Sequence, residues 1–211
     1  ALKSGKVIVS DAVLFSAGRR SATHDLGLEA IGVATGERGK IIVNEKFETS
    51  VEHIYAAGDV IGFPALASTS GAQGRVASCN AFGVNDDRLE APLPYGIYSI
   101  PEISYIGSTE EELTSKEVPY ETGVARFKEI ARGHIIGDEN GMLKVLFHRE
   151  TQQVLGVHII GESSTELIHV GQAVMTLNGG LRYLRDAVPN YPTLTEAYKV
   201  AALDGYNKLR A

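Results

Sequence analysis

The chain has 211 residues, of which 44% are apolar and 22% charged, with a formal net charge of −6. That acidic balance argues against a nucleic-acid binder, which needs a basic footprint, and no apolar run approaches the roughly 20 residues that a membrane-spanning helix requires. A single cysteine, Cys79, rules out an internal disulfide and fits a reducing cytoplasm.

In chain order, residues 1–6 have no apolar stretch behind their positive charge, so no secretory signal is expected. The first residue is not Met and strand-like sequence follows at once, so a piece of a longer polypeptide is expected. Val7-Ile8-Val9 and Ala12-Val13-Leu14-Phe15 are apolar, rich in β-branched residues, and read as two strands, the second entering the small-residue turn Ser16-Ala17-Gly18-Arg19-Arg20. Residues 41–43 and 54–57 read as further strands, the latter ending in Gly58-Asp59. From Leu66 to Phe82 the pattern turns helical, with small residues throughout that let a backbone approach closely; Cys79 on this helix reads as a buried apolar residue.

Residues 85–94, with three charges in a row and then two prolines, form the best linker. Beyond it, strands are expected over 95–100, 103–106, 120–126, 142–147 and 154–160, and helices over 110–116, 165–177 and 195–209. Strands with helices grouped after them predict an α+β domain on an antiparallel sheet. Thr109-Glu110-Glu111-Glu112 and Ser163-Ser164-Thr165-Glu166 fit the capping-box pattern that opens a helix.

The sequence has no Gly-x-Gly-x-x-Gly, no phosphate-binding P-loop and no His-Glu-x-x-His. Its six histidines show no metal-ligand spacing, and His148 and His158 read as ordinary sheet positions. The stretch with chemical content is Thr49-Ser50-Val51-Glu52-His53-Ile54-Tyr55-Ala56-Ala57-Gly58-Asp59-Val60-Ile61. Asp59 after a strand can accept hydrogen bonds from a polyol, Gly58 lets the backbone come near a ligand, and the next helix offers free N–H groups and positive dipole character to an electron-rich ring edge. A plain strand–turn–helix with Asp in the turn accounts for the same residues.

In its longer context this stretch resembles the second FAD-binding motif of the flavoprotein disulfide reductase family. The resemblance implies that Gly58, Asp59, Leu66, Ala67 and Ser68 face FAD, with Asp59 on the ribityl chain. Asp11 through Arg20 resembles the strand and turn closing the family's NAD(P) domain, which places Ala17, Gly18 and Arg19 near NAD(P). Ile106 through Leu113, Leu143 through Thr151 and Leu155 through Gly161 resemble the interface domain. The implied fold is an α+β interface, or dimerisation, domain with antiparallel sheet and helices, preceded by the returning β/α segment of an FAD-binding domain. The implied domains are 1–22 as the tail of the NAD(P)-binding domain, 23–94 as the C-terminal part of the FAD-binding domain, and 95–211 as the interface domain.

One departure decides among activities. Where the disulfide reductases carry His-Pro-Thr-x-x-Glu, this sequence reads Tyr191-Pro192-Thr193-Leu194-Thr195-Glu196. A phenol with a reference pKa of roughly 10 is a poor proton shuttle near neutrality, and thiol–disulfide exchange needs one. Soluble pyridine nucleotide transhydrogenases share this departure, and the runs 98–104, 127–132 and 190–203 resemble theirs as well. That resemblance implies a longer parent enzyme with FAD-dependent hydride exchange between NADPH and NAD⁺, no protein nucleophile, nicotinamide nucleotides as partners, and a homodimer or larger homo-oligomer, with this chain alone expected to be inactive. Tyr191 and Glu196 then occupy the dyad positions without a catalytic role, and Thr193-x-x-Glu196 reads as a capping box. Two alternatives stay open: a dimerisation module that is inactive alone and holds FAD weakly, and a dihydrolipoamide dehydrogenase-like disulfide reductase.

Overall fold

The computed structural model describes residues 3–84, 89 and 92–210, so most of the expected linker at 85–94 lies outside the described residues. The chain divides into two compact units, Ala1–Leu89 and Glu90–Ala211.

The first unit holds one long helix, α1 (Ala67–Ala81), where the small-residue pattern placed it. Its buried positions Thr69, Gln73, Val76 and Ala77 recur at helical spacing, and Val76 and Ala77 pack against Phe47 in a small core. Cys79 is half-buried, not fully buried as the sequence suggested. The expected strands at 7–9 and 12–15 do not form. Val9 is 92% and Phe15 86% exposed. A strand needs a second extended segment to complete its hydrogen-bond ladder, and among the described residues nothing pairs with 7–15. The expected strands at 41–43 and 54–57 are likewise reduced to single bridges, Thr35 with Ile41 and Glu48 with Tyr55.

The second unit is built on five antiparallel strands, β1 (Tyr95–Ile97), β2 (Ile103–Gly107), β3 (Tyr120–Arg126), β4 (Met142–His148) and β5 (Val154–Ile160), in the order β1-β2-β5-β4-β3. The α+β expectation is borne out. Side chains alternate across a strand: Leu143, Val145, Val157 and Ile159 turn to one face and meet Leu167, Ile168 and Val174 of α4 (Ser164–Thr176) and Ala197, Tyr198 and Ala201 of α6 (Glu196–Lys208). Sequence reading missed two short helices. Ala131–Ile136 ends in Gly137 at φ 72°, and Leu181–Asp186 buries only Leu181 and Leu184; six residues give too few apolar positions to show a period.

Helix ends test the capping signals. At α2 (Glu110–Ser115) the box forms as read: the Glu112 N–H donates to Thr109 Oγ1 at 3.2 Å, and the Thr109 N–H donates to Glu112 Oε2 at 3.0 Å. (The two six-residue helices that follow α2 and α4 are α3, Ala131–Ile136, and α5, Leu181–Asp186.) At α4 the expected box is absent. Ser163 sits at φ 58° without capping, and Glu102 of the β1–β2 loop accepts from the Thr165 N–H at 3.0 Å and hydroxyl at 2.7 Å instead.

Tyr198 locks α6 to α4. Its buried hydroxyl donates to the Leu167 carbonyl at 2.8 Å and accepts from the Gly171 N–H at 3.0 Å, and burial pushes its pKa well above the usual phenol value. Tyr198→Phe removes two buried hydrogen bonds and leaves Leu167 and Gly171 only their helical partners, a net loss of about 1–3 kcal/mol. A lowered denaturation midpoint with an unchanged m-value would register the loss; an unchanged midpoint would contradict it.

On the opposite sheet face Tyr95, Tyr105, His158 and Lys144 stand in one cross-strand row, with Tyr105 stacked on both Tyr95 and His158. Helix α2 lies over this face: Lys144 pairs with Glu110, and His158 Nε2 lies 3.0 Å from the Ser108 carbonyl. Burial holds the His158 pKa below 6.5, helped by Lys144 and opposed by the Ser108 carbonyl and by Glu110 and Glu112. Folded His158 therefore binds protons less readily than its unfolded form. Its contribution to stability is complete above pH ~6.5 and is lost as pH falls through the lower folded value. Melting temperature should accordingly decline on acidification below pH ~6.5 less steeply in His158→Gln than in the parent; superimposable pH profiles would rule the effect out.

Candidate functional site

The Gly58–Ile61 segment makes a tight 3-10 turn. Gly58 has φ 80°, and a Cβ there would stand 3.2 Å from Ser70 Oγ on the first turn of α1. Glycine is thus required both by the left-handed backbone and by the close approach of turn and helix. The buried Gln73 fixes that approach by accepting the Gly58 N–H on Oε1 at 2.7 Å. Ile41 N–H and Ser21 Oγ both donate to the Val60 carbonyl, at 3.0 and 3.1 Å. The backbone is held from both sides while the Asp59 carboxylate stays 54% exposed.

Leu66 precedes α1 in extended conformation and no side chain caps the helix. Ala67 and Ser68, the first two residues of α1, are exposed and present its N-terminal end. Because Ser70 meets both Gly58 and the Leu66 carbonyl, the turn carrying Asp59 and the start of α1 form one locus. A half-exposed carboxylate beside an uncapped 15-residue helix fits a ligand with polyol hydroxyls and an electron-rich ring edge.

The turn Ala17-Gly18-Arg19 reaches the same locus. Arg19 donates to Asp59 Oδ2 at 2.6 Å across 40 residues of sequence. Residues that the resemblance assigned to two different nucleotides are therefore in contact. Both side chains are largely in solvent, so the pair is worth at most about 1 kcal/mol and yields readily to a competing ligand. Sequence reading missed Gln73; its only signal was a large polar residue four positions after Thr69 on an otherwise small-residue helix.

In the second unit, Tyr191 is 74% exposed. The expected capping box at Thr193 and Glu196 is not made. Thr193 Oγ1 donates to the Asn190 carbonyl at 2.7 Å, Thr195 is the residue before α6, and Glu196 Oε2 is buried without a hydrogen-bond partner. The Thr193 hydroxyl is thus taken by Asn190, and it is the Thr193 carbonyl that accepts the Glu196 N–H, at 3.4 Å. Among the described residues no His, Cys, Asp and Glu cluster could hold a metal ion, and no helix is long and apolar enough to cross a membrane.

Comparison with known proteins places the locus in context. The pyridine nucleotide-disulphide oxidoreductase dimerisation domain matches residues 93–202, and a second pyridine nucleotide-disulphide oxidoreductase domain matches residues 1–74. The chain belongs to the pyridine nucleotide-disulphide oxidoreductase family. A soluble pyridine nucleotide transhydrogenase of Mycobacterium tuberculosis is 56% identical over 100% of this chain and 45% of its own length. One from a Marinomonas species is 49% identical over 99% of this chain and 46% of its own. The chain thus spans less than half the length of these relatives. Among solved structures, the HOCl-induced flavoprotein disulfide reductase RclA of Escherichia coli is similar at 27% identity and a TM-score of 0.84, covering 92% of this chain and 45% of that one. LpdA of Mycobacterium tuberculosis is similar at 26% identity and a TM-score of 0.79, covering 87% of this chain and 40% of that one. The five-stranded sheet with its helices is this family's dimerisation domain.

Proposed function

We propose that this chain provides the flavin-facing turn and the pairing domain of an FAD-dependent enzyme that exchanges hydride between NADPH and NAD⁺. The observation that carries this reading is the pair of dyad positions: an exposed phenol at Tyr191 and a buried, unpartnered oxygen on Glu196. A thiol-exchanging enzyme needs a proton shuttle there, whereas hydride transfer between nicotinamides does not. Identity of 49–56% to proteins named as transhydrogenases supports the same choice. Similarity to RclA, a disulfide reductase by name, favours the second reading, thiol–disulfide chemistry, at 27% identity.

In this proposal residues 1–22 close the NAD(P) domain, 23–94 complete the FAD domain, and 95–211 form the interface domain of a homodimer or larger assembly in the cytoplasm. Asp59 accepts hydrogen bonds from the ribityl hydroxyls, and Gly58 keeps that approach open. The N–H groups at Leu66, Ala67 and Ser68 face the ring edge, and Ala17, Gly18 and Arg19 border the nicotinamide nucleotide. FAD, when bound, supplies the two-electron chemistry; the chain positions it and supplies no nucleophile.

Steady-state assays of the longer, flavin-loaded protein that contains this chain test the choice. Transhydrogenation with parallel double-reciprocal lines, and disulfide reduction at least about 100-fold slower, are expected; the shuttle alone is worth roughly 10²–10⁴-fold. Comparable rates with a disulfide substrate would overturn the reading.

A further inference from the structure

We propose that His148 is a pH-sensitive latch: its neutral imidazole holds the β4–β5 turn, and that turn holds the connection between α4 and α5. This goes beyond the hydride-transfer reading and does not rest on it.

The turn runs from His148, the last residue of β4, to Val154, the first of β5. Its backbone is closed by the His148 N–H donating to the Gln153 carbonyl and the Gln152 N–H donating to the His148 carbonyl, each at 2.9 Å. Inside this loop the Glu150 and Thr151 N–H groups both donate to His148 Nδ1, at 3.2 and 3.3 Å. Among the described residues neither amide has another partner. Two donors aimed at one ring nitrogen decide its chemistry. Nδ1 must offer its lone pair, so the imidazole is neutral with its hydrogen on Nε2. An imidazolium carries hydrogens on both nitrogens, and three N–H groups would then converge where one acceptor had served. Histidine ordinarily titrates between pH 5 and 8, so mild acid removes this pair of bonds. The charged and titratable groups in register with it or in the turn beside it are Tyr120, opposite on β3 with its hydroxyl 3.2 Å from Thr114 of α2, Arg149 with its partner Glu121 at 3.8 Å, and Glu150.

The far side of the turn carries the α4–α5 connection. Leu181, the first residue of α5, donates its N–H to the Gln152 carbonyl at 2.8 Å, and the Val154 N–H donates to the Gly179 carbonyl at 3.2 Å. Gln153 forms a bridge with Gly180, and its Nε2 donates to Asn178 Oδ1 at 3.4 Å. The fit is close: a Cβ on Gly180 would stand 3.0 Å from the Gln152 carbonyl oxygen. The N-terminal end of α5, which buries Leu181 and Leu184, is thus anchored on a turn that a single imidazole braces.

Hydrogen exchange of the longer protein that contains this chain tests the latch, at pH about 8 and about 5.5, with labelling times scaled for the intrinsic pH dependence of exchange. Protection of peptides covering 148–154 and 178–184 should fall about tenfold at the lower pH, while peptides covering 120–126 stay unchanged. His148→Ala should show the same loss already at the higher pH. Asparagine accepts from N–H groups two residues on without titrating in this range, so His148→Asn should keep protection at both. Equal protection of the parent at the two pH values, full protection in His148→Ala, or an acid loss persisting in His148→Asn would each overturn the proposal.

Discussion

Valine at position 123 is expected to destabilise the second unit by about 3 kcal/mol or more, the upper range for overpacking, and to lower its melting temperature by roughly 10 °C. Gly123 lies on β3 where α6 crosses it. A Cβ added there would overlap the Ala201 carbonyl and stand 3.1 Å from the Gly205 nitrogen. Backbone atoms cannot rotate aside as side chains do, so relief requires α6 to move off the sheet. Gly205 answers from the helix: a Cβ there would meet the Phe147 ring at 2.5 Å and the Gly123 Cα at 3.3 Å. Displacing α6 would also loosen Ala197, Tyr198, Ala201 and Ala202, all essentially buried. Chemical denaturation of Gly123→Val against the parent measures the effect, and a loss below about 1 kcal/mol would show that α6 yields without cost.

Asp59→Ala in the flavin-loaded protein should weaken FAD binding by about 10–100-fold, the value of a hydrogen bond to a charged group. The same substitution should leave the flavin-free protein almost as stable as before, because the ion pair it removes, to Arg19, is solvent-exposed. This separation of affinity from stability distinguishes a ligand-facing carboxylate from a structural one. Asp59→Asn keeps an acceptor oxygen and should lose less. Flavin fluorescence on dilution measures retention; equal retention in parent and Asp59→Ala would remove Asp59 from the proposed site.

The legible parts of the sequence were those set by local chemistry. The segments at 120–126 and 154–160 became β3 and β5 without adjustment, because each is bounded by turn residues and paired on both sides or held along its length. Thr109 and Glu112 cap α2 as read, since both partners sit within four residues. What stayed hidden is non-local. Apolar content at residues 7–15 signals strand propensity but cannot say whether a partner strand is there. The cap of α4 comes from Glu102, 63 residues before Thr165, so the nearby Ser163 was the wrong candidate. At the candidate site the sequence pointed to Gly58, Asp59 and the start of α1, but not to Gln73, which binds that turn, nor to the contact of Arg19 with Asp59. The unengaged Glu196 oxygen was equally invisible, because a capping pattern in sequence is only an opportunity for a hydrogen bond.

Strand β3 lies at the margin of the sheet, and three of its outward N–H groups are taken: Thr122 donates to Glu121 Oε1, Val124 to Asp204 Oδ2 and Arg126 to Glu129 Oε2, at 3.0, 2.9 and 3.1 Å. Lys208 covers the Thr122 carbonyl. A foreign strand arriving at this border would find three donors and one acceptor already engaged. The carboxylates thus act as a selvedge that guards this border of the unit against fusing with another sheet.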